Sequence, residues 1–168
     1  GVDASVTTGA MAEIRATSLR RGAMVSLGAG QTIHRSLAGG AQLTVEVIYP
    51  RAAGDIDLLD GDANGDSLVL LVRYGAFRAL LTGDIEADVE AFLAHASSAG
   101  WIDISAHALK APHHGSKSSS SERFLRAVDP SHAVISAGQG NRYGHPSPEV
   151  LARYEDREAV ILRTDHDG

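Results

Sequence analysis

Apolar residues alternate with polar ones in the first half of the chain, and this pattern predicts paired strands. LTVEVIYP alternates and is rich in β-branched residues, so it predicts a strand from Leu43 to Pro50. Two further β-rich runs, Ser67–Arg73 and Phe77–Thr82, flank Tyr74-Gly75-Ala76. That spacing is typical of a hairpin with a tight, glycine-containing turn.

The second half of the chain shows the alternation of strands and helices that builds a layered α/β fold. Between Glu86 and His95, the apolar residues Val89, Phe92 and Leu93 fall on one helical face. We predict a mixed sheet with flanking helices. After Trp101 the predicted strands are Ile104–Ala111, His132–Ser136 and Ala159–Arg163, and the predicted helices are Ser121–Val128 and Pro148–Tyr154.

A length of 168 residues fits one domain with its own core. We expect residues 1–21 to form a poorly ordered start with a short helix over about Ala10 to Arg20, and residues 22–168 to form the sheet and helices. The net charge of −6 argues against a broad nucleic-acid-binding surface but leaves room for a local basic groove. Neither a membrane-length apolar run nor a signal peptide is visible, and we expect the chain itself to be soluble.

The sequence contains no cysteine, so any metal must be held by His, Asp or Glu, which suits zinc or manganese. Candidate ligands lie in loops that follow predicted strands. Asp84 of LLTGD, just before a helix, is either an N-cap or a metal-bridging carboxylate. In PHHGS, His113 and His114 can share a site only where the chain bends, and Gly115 permits that bend. One imidazole would then bind a metal and the other would donate a proton or contact a phosphate.

Two more loops carry polar groups beside these candidates. The run from Ser116 and Lys117 to Ser120 offers hydroxyls and an ammonium at a predicted helix start, which indicates either an anion site or a solvated loop with a serine cap. In GNRYGHP, His145 is held in a Gly-Pro frame after a strand and is either a structural turn residue or a member of the site. DGDANGDS opens like an EF-hand calcium loop, but Leu71 stands where the bidentate Glu is needed, so calcium is disfavoured.

The combination of these motifs resembles the metallo-β-lactamase-like domain of ComEC-type DNA-uptake competence proteins. The resemblance rests on Asn64 and Ser67 (N-x-x-S), an apolar hairpin, LLTGDIE, LKAPHHGSKSSSSERFL, VISAGQGNRYGHPSPEVL and LRTDHDG, and it covers roughly residues 28–168. PHHGS followed by GNRYGHP is the specific part, whereas TGD alone is weak.

The resemblance implies an αββα sandwich with a two-metal hydrolase site on one edge. It assigns Asp84 and His114 as ligands of zinc or manganese, with His113 as a catalytic donor beside the scissile phosphate. It also places His145 in the catalytic site against the phosphate. The resemblance further suggests phosphate contacts from Ser116, Lys117 and Asn141, and structural loop roles for Asn64 and Ser67.

The function implied is metal-dependent cleavage of DNA, as a single strand, during import. By resemblance the domain lies on the outer face of a bacterial cytoplasmic membrane, with the membrane region and the N-terminal half of the same domain as its partners. The family's upstream HxHxDH-like motif has no counterpart here, so we interpret the chain as the C-terminal portion of the domain. We therefore expect weak metal binding, no activity from the chain alone, and homo-oligomers formed through exposed apolar surface.

Two other functions fit the same residues. The chain could be a non-catalytic interaction or folding module, or part of a small-molecule phosphodiesterase of the same superfamily, such as a phosphorylcholine esterase. The metal-dependent cleavage of DNA by the complete domain discriminates between these alternatives.

Overall fold

A computed structural model describes residues 29–49 and 67–167. Within them the chain forms a mixed sheet with flanking helices. The strands are Thr32–Ser36 (β1), Gln42–Tyr49 (β2), Val69–Tyr74 (β3), Phe77–Leu81 (β4), Ala108–Lys110 (β5), His132–Ile135 (β6) and Val160–Arg163 (β7), and the helices are Ala87–Ser98 (α1), Glu122–Val128 (α2) and Pro148–Glu155 (α3). No helix among these residues is long and apolar enough to cross a lipid bilayer.

Strand order in the sheet follows the chain from β1 to β7. The strands from β1 to β4 pair antiparallel, and those from β4 to β7 pair parallel. Parallel neighbours need crossover connections, which α1, α2 and α3 supply in turn. The loops that leave β4, β5 and β6 consequently emerge at one edge of the sheet, and these loops carry the TGD, PHHGS and GNRYGHP motifs.

The predicted α/β class, with a mixed sheet and flanking helices, is confirmed. The hairpin of β3 and β4 and the three helices form where the sequence places them, to within a few residues. The strand expected at Ile104–Ala111 is shorter, because Asp103 accepts hydrogen bonds from the Ser105 backbone N–H at 3.0 Å and hydroxyl at 2.8 Å and so makes a turn there. β1 was missed, since all five of its residues are exposed and give no alternating pattern. The helix predicted at Ala10–Arg20 lies outside the described residues.

One row of residues in register across five strands forms the centre of the core. Its members are Leu71, Leu80, Leu109, Ala133 and Ile161, and the first four are fully buried. The neighbouring row, which faces the other side of the sheet, contains Leu81 and Leu162, and these are 40% and 44% exposed. The self-association expected from exposed apolar surface stays a prediction.

The turn before β5 supplies a test of stability against pH. Arg78 donates to the Asp103 carboxylate at 2.6 Å, and this bond is the main reason that the pKa of Asp103 is lowered to about 2. Because the Asp103 side chain is 61% exposed, we expect Asp103→Asn to lower the free energy of unfolding by only about 0.5–1 kcal/mol at pH 7. A lowered pKa stabilises the fold above the carboxyl's usual value near 3.8, and this contribution is lost as the pH falls towards 2. In urea titrations, the difference in free energy of unfolding between wild type and variant should shrink over that range. A difference that persists at pH 2 would contradict the ion pair as its cause.

Candidate active site

The loop after β4 presents Asp84 at the sheet edge, and the start of β3 holds it there. The Asp84 backbone N–H donates to Ser67 Oγ at 3.0 Å. Gly83 between them has φ +57°, and a Cβ at this position would lie 2.9 Å from Ser67 Cβ, so only glycine fits. Ser67, predicted as a structural loop residue, therefore fixes the Asp84 backbone. Asn64, its predicted companion, lies outside the described residues.

The PHHGS loop after β5 bends more sharply than the sequence indicated. His113, His114 and Gly115 have φ values of +44°, +54° and +77°, three consecutive left-handed residues. Such a conformation costs each histidine about 1–3 kcal/mol, and strain of this kind clusters at functional sites. The bend turns both imidazoles towards the same edge of the sheet. An extended strand would separate them on opposite faces.

His114 and Asp84 converge. His114 Nε2 lies 3.5 Å from Asp84 Oδ1. On the other side of the ring, His114 Nδ1 lies 2.6 Å from the Ser136 carbonyl oxygen. A carbonyl oxygen only accepts, so Nδ1 carries a proton, and in the neutral form of the ring the lone pair of Nε2 would face Asp84. This arrangement, with a backbone carbonyl fixing the tautomer, is typical of a metal-binding histidine.

His113 faces a different carboxylate and packs against the third histidine. Its Nδ1 lies 3.0 Å from Glu86 Oε1. Its ring centroid is 5.8 Å from that of His145, with the rings nearly edge to face. Burial, followed by the charges of His113 and His114, lowers the pKa of His145. Both effects favour the neutral form of the His145 ring.

The loop after β6 brings His145 to the site through Pro146 and Asn141. A Cβ on Gly115 would lie 2.7 Å from Pro146 Cβ, and the Gly115 carbonyl accepts from the Ser147 N–H at 2.9 Å, so the two histidine loops are docked together. The Asn141 side chain accepts from the His145 N–H at 3.0 Å and donates to the His145 carbonyl at 2.6 Å. Asn141 thus holds the backbone of His145, and its predicted contact with phosphate stays a prediction.

The donor set of Asp84 and His114 fits a zinc or manganese ion in part. A tetrahedral ion with ligands at the usual distances near 2.1 Å holds two of them roughly 3.4 Å apart, close to the 3.5 Å between Asp84 Oδ1 and His114 Nε2. However, the described residues contain no group of three or more His, Asp or Glu side chains that could surround an ion. A catalytic zinc needs about three protein ligands. The two side chains alone do not complete such a site, and the metal stays a prediction.

The serine-rich segment after the histidines serves as a scaffold. Ser116 Oγ bonds Ser118 Oγ at 3.0 Å, and Lys117 Nζ pairs with Glu149 Oε1 at 2.8 Å on the surface. Ser119 and Ser120 are buried, contrary to the solvated loop that the sequence allowed. The predicted phosphate contacts of Ser116 and Lys117 stay predictions.

A buried carboxylate on α1 takes the place that we expected an anion to occupy. Glu90 is fully buried and accepts from the backbone N–H groups of Ser120 and, at 2.7 Å, Ser121. Burial raises the pKa of Glu90. Tyr154 Oη lies 3.0 Å from Ser120 Oγ and joins the same network. Glu90 ties the histidine loop to the helix that follows Asp84.

We expect Glu90→Ala to lower the free energy of unfolding by about 2 kcal/mol, because two buried N–H groups would lose their acceptor. Asp88→Ala, an exposed position on the same helix, is the matched control and should cost less than about 1 kcal/mol. Chemical denaturation of both variants checks this. Equal losses would show that Glu90 does not stabilise the loop.

Sequence reasoning missed Lys110 and Glu86. Lys110 Nζ donates to the Gly83 carbonyl at 2.7 Å and lies 3.4 Å from Asp84 Oδ1, so it places a positive charge beside the candidate ligand. The position of Lys110 at the end of a strand, three residues before the histidines, was the available signal. Glu86 follows Asp84 by two residues, and nothing in the sequence pointed to its contact with His113.

Segments of bacterial competence proteins match this chain. ComE operon protein 3 of Bacillus subtilis is 40% identical over 105 residues, which are 62% of this chain and 13% of that protein. Competence protein ComA of Neisseria gonorrhoeae is 39% identical over 107 residues, 64% of this chain and 15% of that protein. Recombination protein 2 of Haemophilus influenzae is 39% identical over 101 residues, 60% of this chain and 12% of that protein. The chain is homologous to a segment of ComEC-type competence proteins.

The resemblance to ComEC-type proteins that the motifs indicated is thereby confirmed. The chain spans less than a sixth of the length of these competence proteins. No protein-family model matches it. The metallo-β-lactamase-like fold, the metal and the cleavage of DNA stay predictions for the ComEC-type segment.

Proposed function

We propose that this chain is the C-terminal part of a metal-dependent phosphodiesterase domain that degrades or processes DNA during uptake by a ComEC-type protein. The observation that carries the proposal is the convergence of Asp84 Oδ1 and His114 Nε2 at 3.5 Å, with His114 Nδ1 held by a backbone carbonyl. The homology to competence proteins supplies the biological setting. The complete domain would have the αββα fold of metallo-β-lactamases and lie on the outer face of the bacterial cytoplasmic membrane.

Each histidine has a separate task in this proposal. Asp84 and His114 would hold zinc or manganese, and the ion would supply Lewis-acid chemistry to a phosphodiester. Glu86 lies 3.0 Å from His113 Nδ1, which leaves Nε2 on the far side of the ring. In its doubly protonated form, His113 would donate the Nε2 proton to the leaving oxygen and become neutral. His145 contacts the phosphate through its imidazole ring.

The remaining ligands of the two ions would come from the upstream part of the same domain. Two donors give little binding free energy against the hydration of the ion, so the isolated chain binds metal weakly and lacks activity. Single-stranded DNA is the proposed substrate. Its phosphates would meet the exposed guanidinium of Arg142 beside the histidines and those of Arg123 and Arg126 on the helical layer.

The test is cleavage by the full-length protein from which this chain comes. With manganese or zinc it should cleave single-stranded DNA, and a chelator should stop the reaction. A small phosphodiester such as a phosphorylcholine ester should react far more slowly. Metal-dependent cleavage of the small ester alone would make the protein a small-molecule phosphodiesterase.

The shortage of metal ligands among the described residues favours one other function, a non-catalytic interaction module. This alternative predicts that the full-length protein leaves DNA intact with either metal. An assay of the isolated chain does not discriminate between the phosphodiesterase and the interaction module, because both functions predict that the isolated chain is inactive.

A further inference from the structure

A cleft of about 410 Å³ opens beside the candidate metal ligands. His114, which also contacts Asp84, lines it together with His145, Tyr143, Asn141 and residues 136–138. Its volume lies in the range of ligand pockets, and its lining is mostly apolar. When a phosphodiester binds at the histidines, one of the two groups esterified to its phosphate must point into this cleft. An apolar lining suits a base or sugar better than a second phosphate.

The outer wall of the cleft is aromatic. Tyr143 is 67% exposed. Its plane lies within 18° of the His145 ring, with the centroids 5.9 Å apart. The Arg142 guanidinium lies over the Tyr143 ring, 4.9 Å from its centroid, and places a positive charge next to it. An aromatic face next to a cation is the arrangement with which proteins bind single-stranded nucleic acid.

Several backbone groups around the cleft are already paired within the protein. The Ser136 carbonyl accepts from His114, and the Gly138 carbonyl accepts from the Asn141 amide at 3.0 Å. The Ala137 N–H and carbonyl both bond the Thr164 hydroxyl at 2.9 Å. These groups are not available to read the edge of a base. The cleft can therefore recognise the flat face of a base but has few means to select among bases.

We propose that this cleft is a nucleobase subsite in which Tyr143 stacks on the base adjacent to the scissile phosphate, without selecting its identity. The inference rests on the proposed function and adds the way in which the strand is held. The subsite favours single-stranded DNA, because a paired base is stacked in its duplex and does not expose its face.

The test is a binding experiment with the full chain and two probes of equal length and charge, an oligothymidylate and an abasic phosphodiester. Fluorescence anisotropy measures the affinity for each. Tyr143→Leu keeps an apolar side chain and removes the ring, and Tyr143→Phe keeps the ring and removes the hydroxyl that Arg142 bonds at 2.7 Å. Both substitutions lie at an exposed position, so the fold should tolerate them.

We expect the wild type and Tyr143→Phe to prefer the oligothymidylate to the abasic probe, and Tyr143→Leu to lose roughly fivefold or more of its affinity for the oligothymidylate alone. An oligoadenylate should give the same pattern. Equal affinity of the wild type for base-containing and abasic probes would overturn the subsite and leave the phosphodiesterase proposal intact. Failure to bind either probe would overturn the subsite, while cleavage by the full-length protein would decide the proposed function separately.

Discussion

Replacing Asp84 by asparagine or His114 by alanine in the full-length protein is expected to reduce metal-dependent DNA cleavage by at least about a hundredfold. Loss of a residue that only supports a ligand typically costs 10- to 100-fold, and loss of a ligand itself should cost more. Asn at position 84 retains the shape of the side chain but loses the charge that holds the cation. The cleavage rate at saturating metal, measured on single-stranded DNA, gives the result.

A histidine at the opposite edge of the sheet provides the matched control. His132 begins β6, and its Nδ1 lies 3.0 Å from Ser131 Oγ. His132→Ala removes an imidazole from the same fold without touching the candidate site, and the cleavage rate should stay within about twofold of wild type. Normal rates for Asp84→Asn and His114→Ala would show that these residues do not bind the catalytic metal.

Gly115→Ala should lower the free energy of unfolding by at least about 3 kcal/mol. Part of the loss arises because a residue with a side chain at φ +77° is strained by about 1–2 kcal/mol. The remainder comes from the new methyl group, which would meet Pro146 Cβ at 2.7 Å and push the two histidine loops apart. Cleavage by the full-length protein should fall as well, because His113 and His145 would separate.

Gly100→Ala is a control that has the backbone strain of Gly115→Ala without its steric clash. Gly100 has φ +73°, and nothing lies within 4 Å of where its Cβ would be. This variant should show the strain alone, about 1–2 kcal/mol. Thermal and urea unfolding of both variants measure the difference. Similar losses would mean that the contact between Gly115 and Pro146 does not hold the two loops together.

The location of the site could be predicted from the sequence, because alternating strands and helices force parallel strands, whose carboxyl ends share one edge. Asp84, His114 and His145 each follow such a strand, and the structure brings them to that edge. The hydrogen-bond partners of the side chains could not be predicted from local sequence patterns. Glu90 reaches Ser120 and Ser121 across 30 and 31 positions of sequence, and no periodicity encodes that contact.

The backbone conformation of His113 and His114 was also not fully predicted from the sequence. The sequence indicated a bend at Gly115, whereas His113 and His114 themselves adopt left-handed backbone angles. Histidine rarely has such angles, and only packing around the loop imposes them. Asn141 shows the same limit. Its predicted contact with the phosphate stays a prediction, and the sequence did not indicate that its amide holds the backbone of His145.

Paramagnetic broadening by Mn²⁺ tests most directly whether Asp84 and His114 share a cation. In a titration of this chain followed by NMR of the histidine ring protons, the His114 signals should broaden first. The signals of His132 and of His95, at the far end of α1, should stay sharp, and Asp84→Asn should abolish the selectivity. The method detects weak binding, so an incomplete ligand set does not mask the effect. Uniform broadening of all histidines, or no preference for His114, would contradict the shared metal site.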